Sequence, residues 1–282
     1  MKILVTGGSG YLGRSVRSYF SADDLSRTSG RDVTRLNDAQ AAYDYDVVIH
    51  LAAEMDKNPD ASERVFLTNI EGTVNLLQSV KPGATFIFAS TKDVYNGFAD
   101  NYDEVPESCS TSFAGHSPLE WSKLIAERYT EYYAHARGFR SCIFRLSTVY
   151  AASQPGTVPN FVGHYANAIN TGERLRLPGG GRPIRDLLHV DDFSNACERF
   201  LDTAVRHGLY NLGGGRDNAL PIGELIKRME TISGLQAVVD SENPLPAPRP
   251  TNYISDISLA SQELGWKPSV GIDSGLAKLF GK

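Results

Sequence analysis

Eight residues, Thr6-Gly7-Gly8-Ser9-Gly10-Tyr11-Leu12-Gly13, have the types and spacing to handle a phosphorylated ligand. Gly8, Gly10 and Gly13 satisfy G-x-G-x-x-G, and Gly7, Gly10 and Gly13 satisfy G-x-x-G-x-x-G. Glycine at these places permits a tight turn, lets backbone approach a pyrophosphate and lets helix lie close on strand. A helix starting there presents free N–H groups and partial positive charge to phosphate oxygens. The expected ligand is a dinucleotide, with Gly7, Gly10, Tyr11, Leu12 and Gly13 as its binding residues. Coenzyme choice is then set near the end of the second strand, within Ala22-Asp23-Asp24-Leu25-Ser26-Arg27-Thr28. Asp23 and Asp24 are assigned to the turn before that strand, which leaves its tip without an acid. Ser26 and Arg27 at the tip suit a 2′-phosphate, so NADP(H) is expected, with NAD(H) the alternative. Asp32 either accepts from the adenine amino group or is a turn aspartate.

Such a turn needs strands and helices to hold it. Lys2–Thr6, Asp46–Leu51, Thr85–Ala89 and Ser141–Leu146 read as strands; Tyr11–Phe20 and Ala61–Val80 have helical periodicity. Another helix covers Ser117–Arg137, with Ser117 as N-cap, Pro118 at the first helical position and Glu120 completing a capping box. Strand and helix in alternation imply parallel pairing through right-handed crossovers. The fold expected is α/β: a doubly wound, Rossmann-like parallel sheet over 1–152, to which part of 186–213 returns. Gly and Pro then punctuate 154–160, 178–183 and 243–250, so 153–185 and 214–282 read as a smaller, loop-rich substrate lobe.

Composition narrows the function. The chain has 282 residues and a net charge of −5, with no dense basic run, which argues against a nucleic-acid partner. No stretch reaches the roughly 18 apolar residues of a membrane helix, and the first apolar run is too short for a signal peptide. Cys109, Cys142 and Cys197 are widely separated and odd in number, a pattern of neither disulfides nor a metal site. A soluble cytoplasmic protein without a metal is expected.

Further segments are similar to the extended short-chain dehydrogenase/reductase family, in particular its nucleotide-sugar epimerases, reductases and dehydratases. Beside Thr6–Gly13, the resemblance rests on His50-Leu51-Ala52-Ala53, the helix segment from Asn69 to Leu77, Ala89-Ser90-Thr91-Lys92-Asp93-Val94-Tyr95, Trp121-Ser122-Lys123 and Arg145–Tyr150. In the second lobe it rests on Gly179–Asp186, His189-Val190-Asp191-Asp192, Tyr210–Gly213 and Leu264–Pro268. It implies coenzyme contacts at Leu51, Ala52, Ala53, Asn69, Lys123 and Thr148. It implies arginines on a substrate diphosphate at Arg185 and Arg249, with Asn160 on the substrate phosphate or sugar; a turn asparagine and an Arg185–Asp186 ion pair are the structural alternatives. A homodimer through the Ser117–Arg137 helix and the helix before it is a family expectation.

The resemblance breaks at one position. In the family a tyrosine four residues before the lysine moves the proton, a lysine holds the ribose, and a serine or threonine bonds the reacting oxygen. Thr91 and Lys123 match, but Leu119 stands in the tyrosine's place and no Tyr-x-x-x-Lys occurs elsewhere. Candidate replacements are Tyr95, Asp93, Lys92, His116 and Glu120, with Asp93 and Tyr95 carried as catalytic residues. Lys92 and Asp93 occupy the places of an Asp-Glu pair in sugar 4,6-dehydratases, and a lysine cannot be that pair's neutral acid. The function expected is epimerisation or keto reduction of a nucleotide-linked sugar by hydride transfer. A catalytically silent sensor and a non-redox isomerase or lyase remain the alternatives.

Overall fold

The computed structural model describes residues 1–152 and 157–282; part of the loop expected at 154–160 lies outside the described residues. In chain order the first half runs β1 (Ile3–Thr6), α1 (Gly13–Phe20), β2 (Asp23–Leu25), α2 (Leu36–Ala39), β3 (Val47–His50), α3 (Ser62–Phe66), α4 (Gly72–Ser79), β4 (Thr85–Thr91), α5 (Pro118–Arg137), β5 (Arg140–Leu146) and β6 (Thr148–Tyr150). The second runs α6 (Phe161–Thr171), β7 (Arg174–Leu175), β8 (Ile184–His189), α7 (Val190–Asp202), β9 (His207–Leu212), β10 (Ala219–Pro221), α8 (Ile222–Ser233), β11 (Val238–Val239), α9 (Ser258–Leu264) and α10 (Ile272–Leu279).

Six strands form one sheet in the order β2-β1-β3-β4-β5-β9, with every neighbouring pair parallel. All four residues of β1 and of β3 are buried, the continuous apolar pattern of parallel strands covered on both faces. One face packs Val16 of α1, Phe193 and Phe200 of α7, and Leu264 of α9 with Trp266. The other packs Leu76 and Leu77 of α4 and Ala126 and Ala134 of α5. The strand order reverses at β1, between β2 and β3, and ligands of open α/β sheets bind outside the carboxyl ends of strands at such a point.

β10-β8-β6 form a second, three-stranded sheet. Leu225, Ile226 and Met229 of α8 pack there with Val162 and Tyr165 of α6 and Leu276 of α10. Asp192 of α7 anchors the chain's last stretch by accepting from Ser269 N–H and Oγ–H and from Val270 N–H, at 2.7–3.0 Å.

The start of α5 is built as its sequence predicts: the Glu120 carboxylate accepts from Ser117 N–H at 2.6 Å, and Pro118 is the first helical residue. The helix expected over 61–80 is interrupted. A π turn at Leu67–Glu71 separates α3 from α4 and holds Asn69 in its middle. Such a turn adds a residue to the helical repeat, so the spacing of buried positions before it does not run on unbroken into α4.

Candidate active site

The glycine turn closes where β1 meets α1. Gly7 has φ +69°, and a Cβ there would come within 2.8 Å of Ala52 Cα, so only glycine fits. A Cβ on Gly13 would run into the Gly7 carbonyl. Gly10 N–H donates to Gly7 O at 2.9 Å. Among the described residues, the N–H groups of Tyr11 and Leu12 meet no backbone or side-chain acceptor. The Tyr11 phenol is engaged elsewhere: its hydroxyl donates to Ala151 O at 2.6 Å and accepts from Ala151 N–H at 2.9 Å. Leu12 packs against the core. Tyr11 and Leu12 therefore contribute backbone amides, and not polar side chains, to the turn.

A cleft of about 440 Å³ opens beside this turn, bounded by Gly8, Ser9, Arg14, Arg17, Asp24 and Thr28. Here the assignment of Asp23 and Asp24 is corrected. Both lie inside β2, because the backbone of β1 pairs Leu4 with Asp23, Val5 with Asp24 and Thr6 with Leu25. Asp24 Oδ2 accepts from Ser26 Oγ–H at 2.7 Å, whereas the buried Asp24 Oδ1 has no partner. A Cβ on Gly8 would lie 2.5 Å from that oxygen, so the carboxylate abuts the glycine turn. Ser26 is buried, with its hydroxyl engaged by Asp24 and Thr28. Arg27 is exposed. Asp32 caps its own turn, one oxygen taking Thr34 N–H and Oγ–H at 3.0 and 2.9 Å. Free amides, a turn that excludes Cβ atoms and an orphaned carboxylate oxygen together fit a dinucleotide with its ribose.

Behind the turn, His50 at the end of β3 bonds Thr6 Oγ1 through Nδ1 at 2.6 Å and Thr73 Oγ1 through Nε2 at 2.9 Å. Burial, helped by the Lys123 ammonium, pushes this imidazole down to about 3, so it is neutral and structural. Leu51, Ala52 and Ala53 continue from it half-buried along the turn. Asn69 does not offer its side chain to a ligand. Its Oδ1 accepts from Glu54 N–H at 2.7 Å, and its Nδ2 donates to Glu54 O at 3.0 Å and to Ser122 Oγ at 2.9 Å. It is a brace between the loop after β3 and α5.

Thr91, Lys123 and Asp93 meet at the carboxyl end of β4. Thr91 Oγ1 accepts from Asp93 N–H at 3.2 Å, which leaves its own proton to give. Lys123 Nζ donates to Ala89 O at 2.7 Å and lies 4.9 Å from the centre of the Phe88 ring. Burial lowers this ammonium to about 8 against the pull of Glu127. Thr148 is buried in β6, opposite Leu187 of β8. Asp93 is gripped by Lys92 Nζ at 2.5 Å and Lys57 Nζ at 2.7 Å; burial favours its protonated form, but the two ammonium groups outweigh it and hold the carboxyl well below the usual range. Lys57 also reaches Glu120 Oε1 at 2.8 Å. Leu119, beside Glu120, is buried.

Two candidate replacements for the missing tyrosine are committed elsewhere. Tyr95 has no exposed surface; its hydroxyl donates to Asn211 Oδ1 at 2.6 Å and accepts from Arg145 at 3.1 Å, and burial raises its phenol far above the ordinary range. His116 lies buried beside Phe113 and Trp121, with Nε2 2.9 Å from Val94 O and Nδ1 accepting from Ala114 N–H.

The expected substrate contacts divide. Asn160 is the N-cap of α6: Oδ1 accepts from Val162 and Gly163 N–H, and Nδ2 donates to Val149 O at 2.7 Å. Arg185 makes no ion pair with Asp186. Its guanidinium donates to the carbonyls of Ile184, Pro250 and Thr251 at 2.6–2.9 Å, while Asp186 accepts from Ser147, Gly215 and Ser255. Arg249 is exposed. The sequence reading missed Lys57, which no motif marks and whose partners lie just past the end of β4 and on α5. Among the described residues no group of His, Cys, Asp or Glu could hold a metal, and no helix is long and apolar enough to cross a membrane. All three cysteines are buried and unpaired.

A profile of the NAD dependent epimerase/dehydratase family matches residues 3–213. The chain is 27% identical to CDP-paratose 2-epimerase of Salmonella typhi, with 99% of this chain and 98% of that protein covered. Its fold is similar to that of UDP-glucuronic acid 4-epimerase from Bacillus cereus, solved with UDP-glucuronic acid and NAD: TM-score 0.83, 24% identity, 100% and 98% of the two chains. It is equally similar to RMD from Pseudomonas aeruginosa, solved with NADPH: TM-score 0.83, 23% identity, 100% and 97%.

Proposed function

The chain belongs to the NAD-dependent epimerase/dehydratase family, and we propose that it epimerises or reduces the sugar of a nucleotide-linked sugar by hydride transfer. The observation that carries this reading is a juxtaposition. The glycine cleft lies at the tip of β1, and Thr91 and Lys123 lie at the tip of β4, with only β3 between the two strands. A bound nicotinamide coenzyme supplies the hydride donor or acceptor. The N–H groups of Tyr11 and Leu12 take its diphosphate. Lys123, still mostly charged at neutral pH, turns from Ala89 O to the nicotinamide ribose, and Thr91 donates a hydrogen bond to the reacting sugar oxygen.

The same reading assigns coenzyme choice to Asp24. Its unpartnered Oδ1 accepts from a ribose hydroxyl and repels a 2′-phosphate, which favours NAD(H) over the NADP(H) expected from Ser26 and Arg27. Arg249, exposed in the late Pro-rich segment, is the freer of the two arginines for the substrate diphosphate; Arg185 fixes that segment through the Pro250 and Thr251 carbonyls. A cytoplasmic location and self-association through the outer face of α5, where Tyr129 and Tyr132 are exposed, complete the proposal.

The test is direct. NADH and NADPH are titrated by nicotinamide fluorescence. UDP-, dTDP- and CDP-linked hexoses and their 4-keto forms are then followed by nicotinamide absorbance and by proton NMR of the sugar, which detects an epimerase that regenerates its coenzyme. Leu119 favours a second reading, binding without turnover, and coenzyme binding with no change in any sugar would select it.

A further inference from the structure

The proton carrier of this site is still to be identified. Leu119 cannot transfer a proton, Tyr95 is sealed from the site, and His116 is engaged through both nitrogens. Asp93 is ionised between two lysines. Glu120 already accepts from Ser117 N–H and pairs with Lys57. The groups that carry a proton at the β4 tip are the Thr91 hydroxyl and the ammonium groups of Lys57, Lys92 and Lys123, and the last, which rests on Ala89 O, is assigned above to the nicotinamide ribose. Lys92 points inward, its Nζ 4.9 Å from the Tyr253 ring centre and its side chain only 11% exposed. Lys57 is 54% exposed, and its Nζ pairs with Asp93, two residues past the end of β4, and with Glu120, next in sequence to Leu119 on α5.

Lys57 is also held in place. Asn69, in the π turn, brackets the backbone N–H and C=O of Glu54. Arg64 of α3 pairs with the Glu54 carboxylate at 3.1 Å and the Asp56 carboxylate at 2.8 Å. The loop that delivers Lys57 is thus tied to α3 and to the π turn before it reaches the site. Resting on the hydride-transfer reading above, we propose that Lys57 Nζ does the proton work of the absent tyrosine, giving its proton to the sugar oxygen.

In the reductive direction the carbonyl carbon gains hydride, with reduced nicotinamide as the reductant, and the C=O π pair moves to oxygen. One Nζ–H bond breaks, one O–H bond forms, and the neutral amine regains a proton from water at its exposed face. Burial at the ammonium end disfavours the charge, but Asp93 and Glu120 overcome it and hold Lys57 protonated far above neutral pH. At neutral pH Lys57 therefore carries a proton to give and has no free lone pair to take one from a hydroxyl. Thr91 donates a hydrogen bond to the same oxygen and keeps its own proton.

The test uses the whole protein. The Lys57 ammonium resonance is assigned in 15N-labelled protein by its loss in Lys57→Arg, then followed on adding NADH and UDP-glucose while thermal shift reports binding. The expected result is binding with a shift of the Lys57 signal. Binding with that signal unmoved overturns the role of Lys57 and spares the coenzyme reading; no binding of NADH overturns both. On whichever 4-keto nucleotide sugar is turned over, Lys57→Met loses about 10²–10⁴-fold in turnover with less than threefold change in NADH affinity. Adding Leu119→Tyr to Lys57→Met recovers at least tenfold. A loss below threefold in Lys57→Met overturns the proposal.

Discussion

Glu127→Gln tests whether the β4 tip is fixed by a buried ion pair. The Glu127 side chain has no exposed surface and that of Arg145 has 3%. Arg145 donates to the two carboxylate oxygens at 2.7 and 3.0 Å, and Ser90 donates at 2.5 Å. Arg145 also donates to the Tyr95 hydroxyl, which in turn donates to Asn211. One network therefore joins β4, α5, β5 and β9 just below Thr91 and Lys123. Replacing the carboxylate by an amide keeps the shape but strands the guanidinium in the interior, which costs about 3–5 kcal/mol. For 282 residues the unfolding entropy is about 0.6 kcal/mol/K, so Tm falls by roughly 5–8 °C. Urea unfolding at neutral pH, followed by circular dichroism and by fluorescence to check for one transition, measures the change. Glu127→Gln combined with Arg145→Met removes both charges and should be more stable than Glu127→Gln alone. A single variant within about 1 kcal/mol of the parent, or a double variant no more stable than that single, would refute the reasoning.

Other expectations are as specific. Asp24→Ala removes the carboxylate facing the ribose; the NADPH-to-NADH affinity ratio, read by fluorescence titration, should rise about tenfold or more, since 1.4 kcal/mol is tenfold, and an unchanged ratio removes Asp24 from coenzyme choice. His50 is neutral in the folded protein down to about pH 3, whereas the unfolded chain gains that proton near the ordinary imidazole value of 6.5. Stability from this residue is therefore full above pH 6.5 and falls with pH toward 3, with a ceiling of about 5 kcal/mol; the loss measured by urea unfolding should be smaller in His50→Gln, and an equal loss would contradict the assignment. Asn69→Ala leaves the Glu54 N–H and C=O without their bracket. Stability should fall by about 1–3 kcal/mol and amide exchange at Glu54 should accelerate, while protection at Glu54 unchanged would show that Asn69 does not hold the loop.

The most legible parts of the molecule were those whose cause is local. The glycine spacing at 7–13 required a turn between strand and helix, and Ser117, Pro118 and Glu120 required a helix start; both are where the residues place them. What escaped depends on partners far along the chain. Asp24 reads as a turn residue because it is polar, but pairing with Val5 draws it into a strand. Tyr95, Asn69, Asn160 and Arg185 have the chemistry expected of site residues, yet Asn211, Glu54, Val149 and Thr251 engage their polar atoms. Lys57 has the opposite history: nothing in its neighbourhood marks it, and only folding brings it to Asp93 and Glu120. Residue type thus identified the region of chemistry well, and individual roles less well, because a role is fixed by which donors and acceptors remain free after packing.

The central claim is that a nicotinamide coenzyme spans from the β1 tip to the β4 tip, and a crystal structure of the protein grown with saturating NADH tests it most directly. The account predicts diphosphate oxygens within about 3.2 Å of Tyr11 and Leu12 N, a ribose hydroxyl on Asp24 Oδ1, and the nicotinamide ring flanked by Thr91, Lys123 and Lys57. An empty cleft, or a nicotinamide ring lodged away from the end of β4, would contradict it.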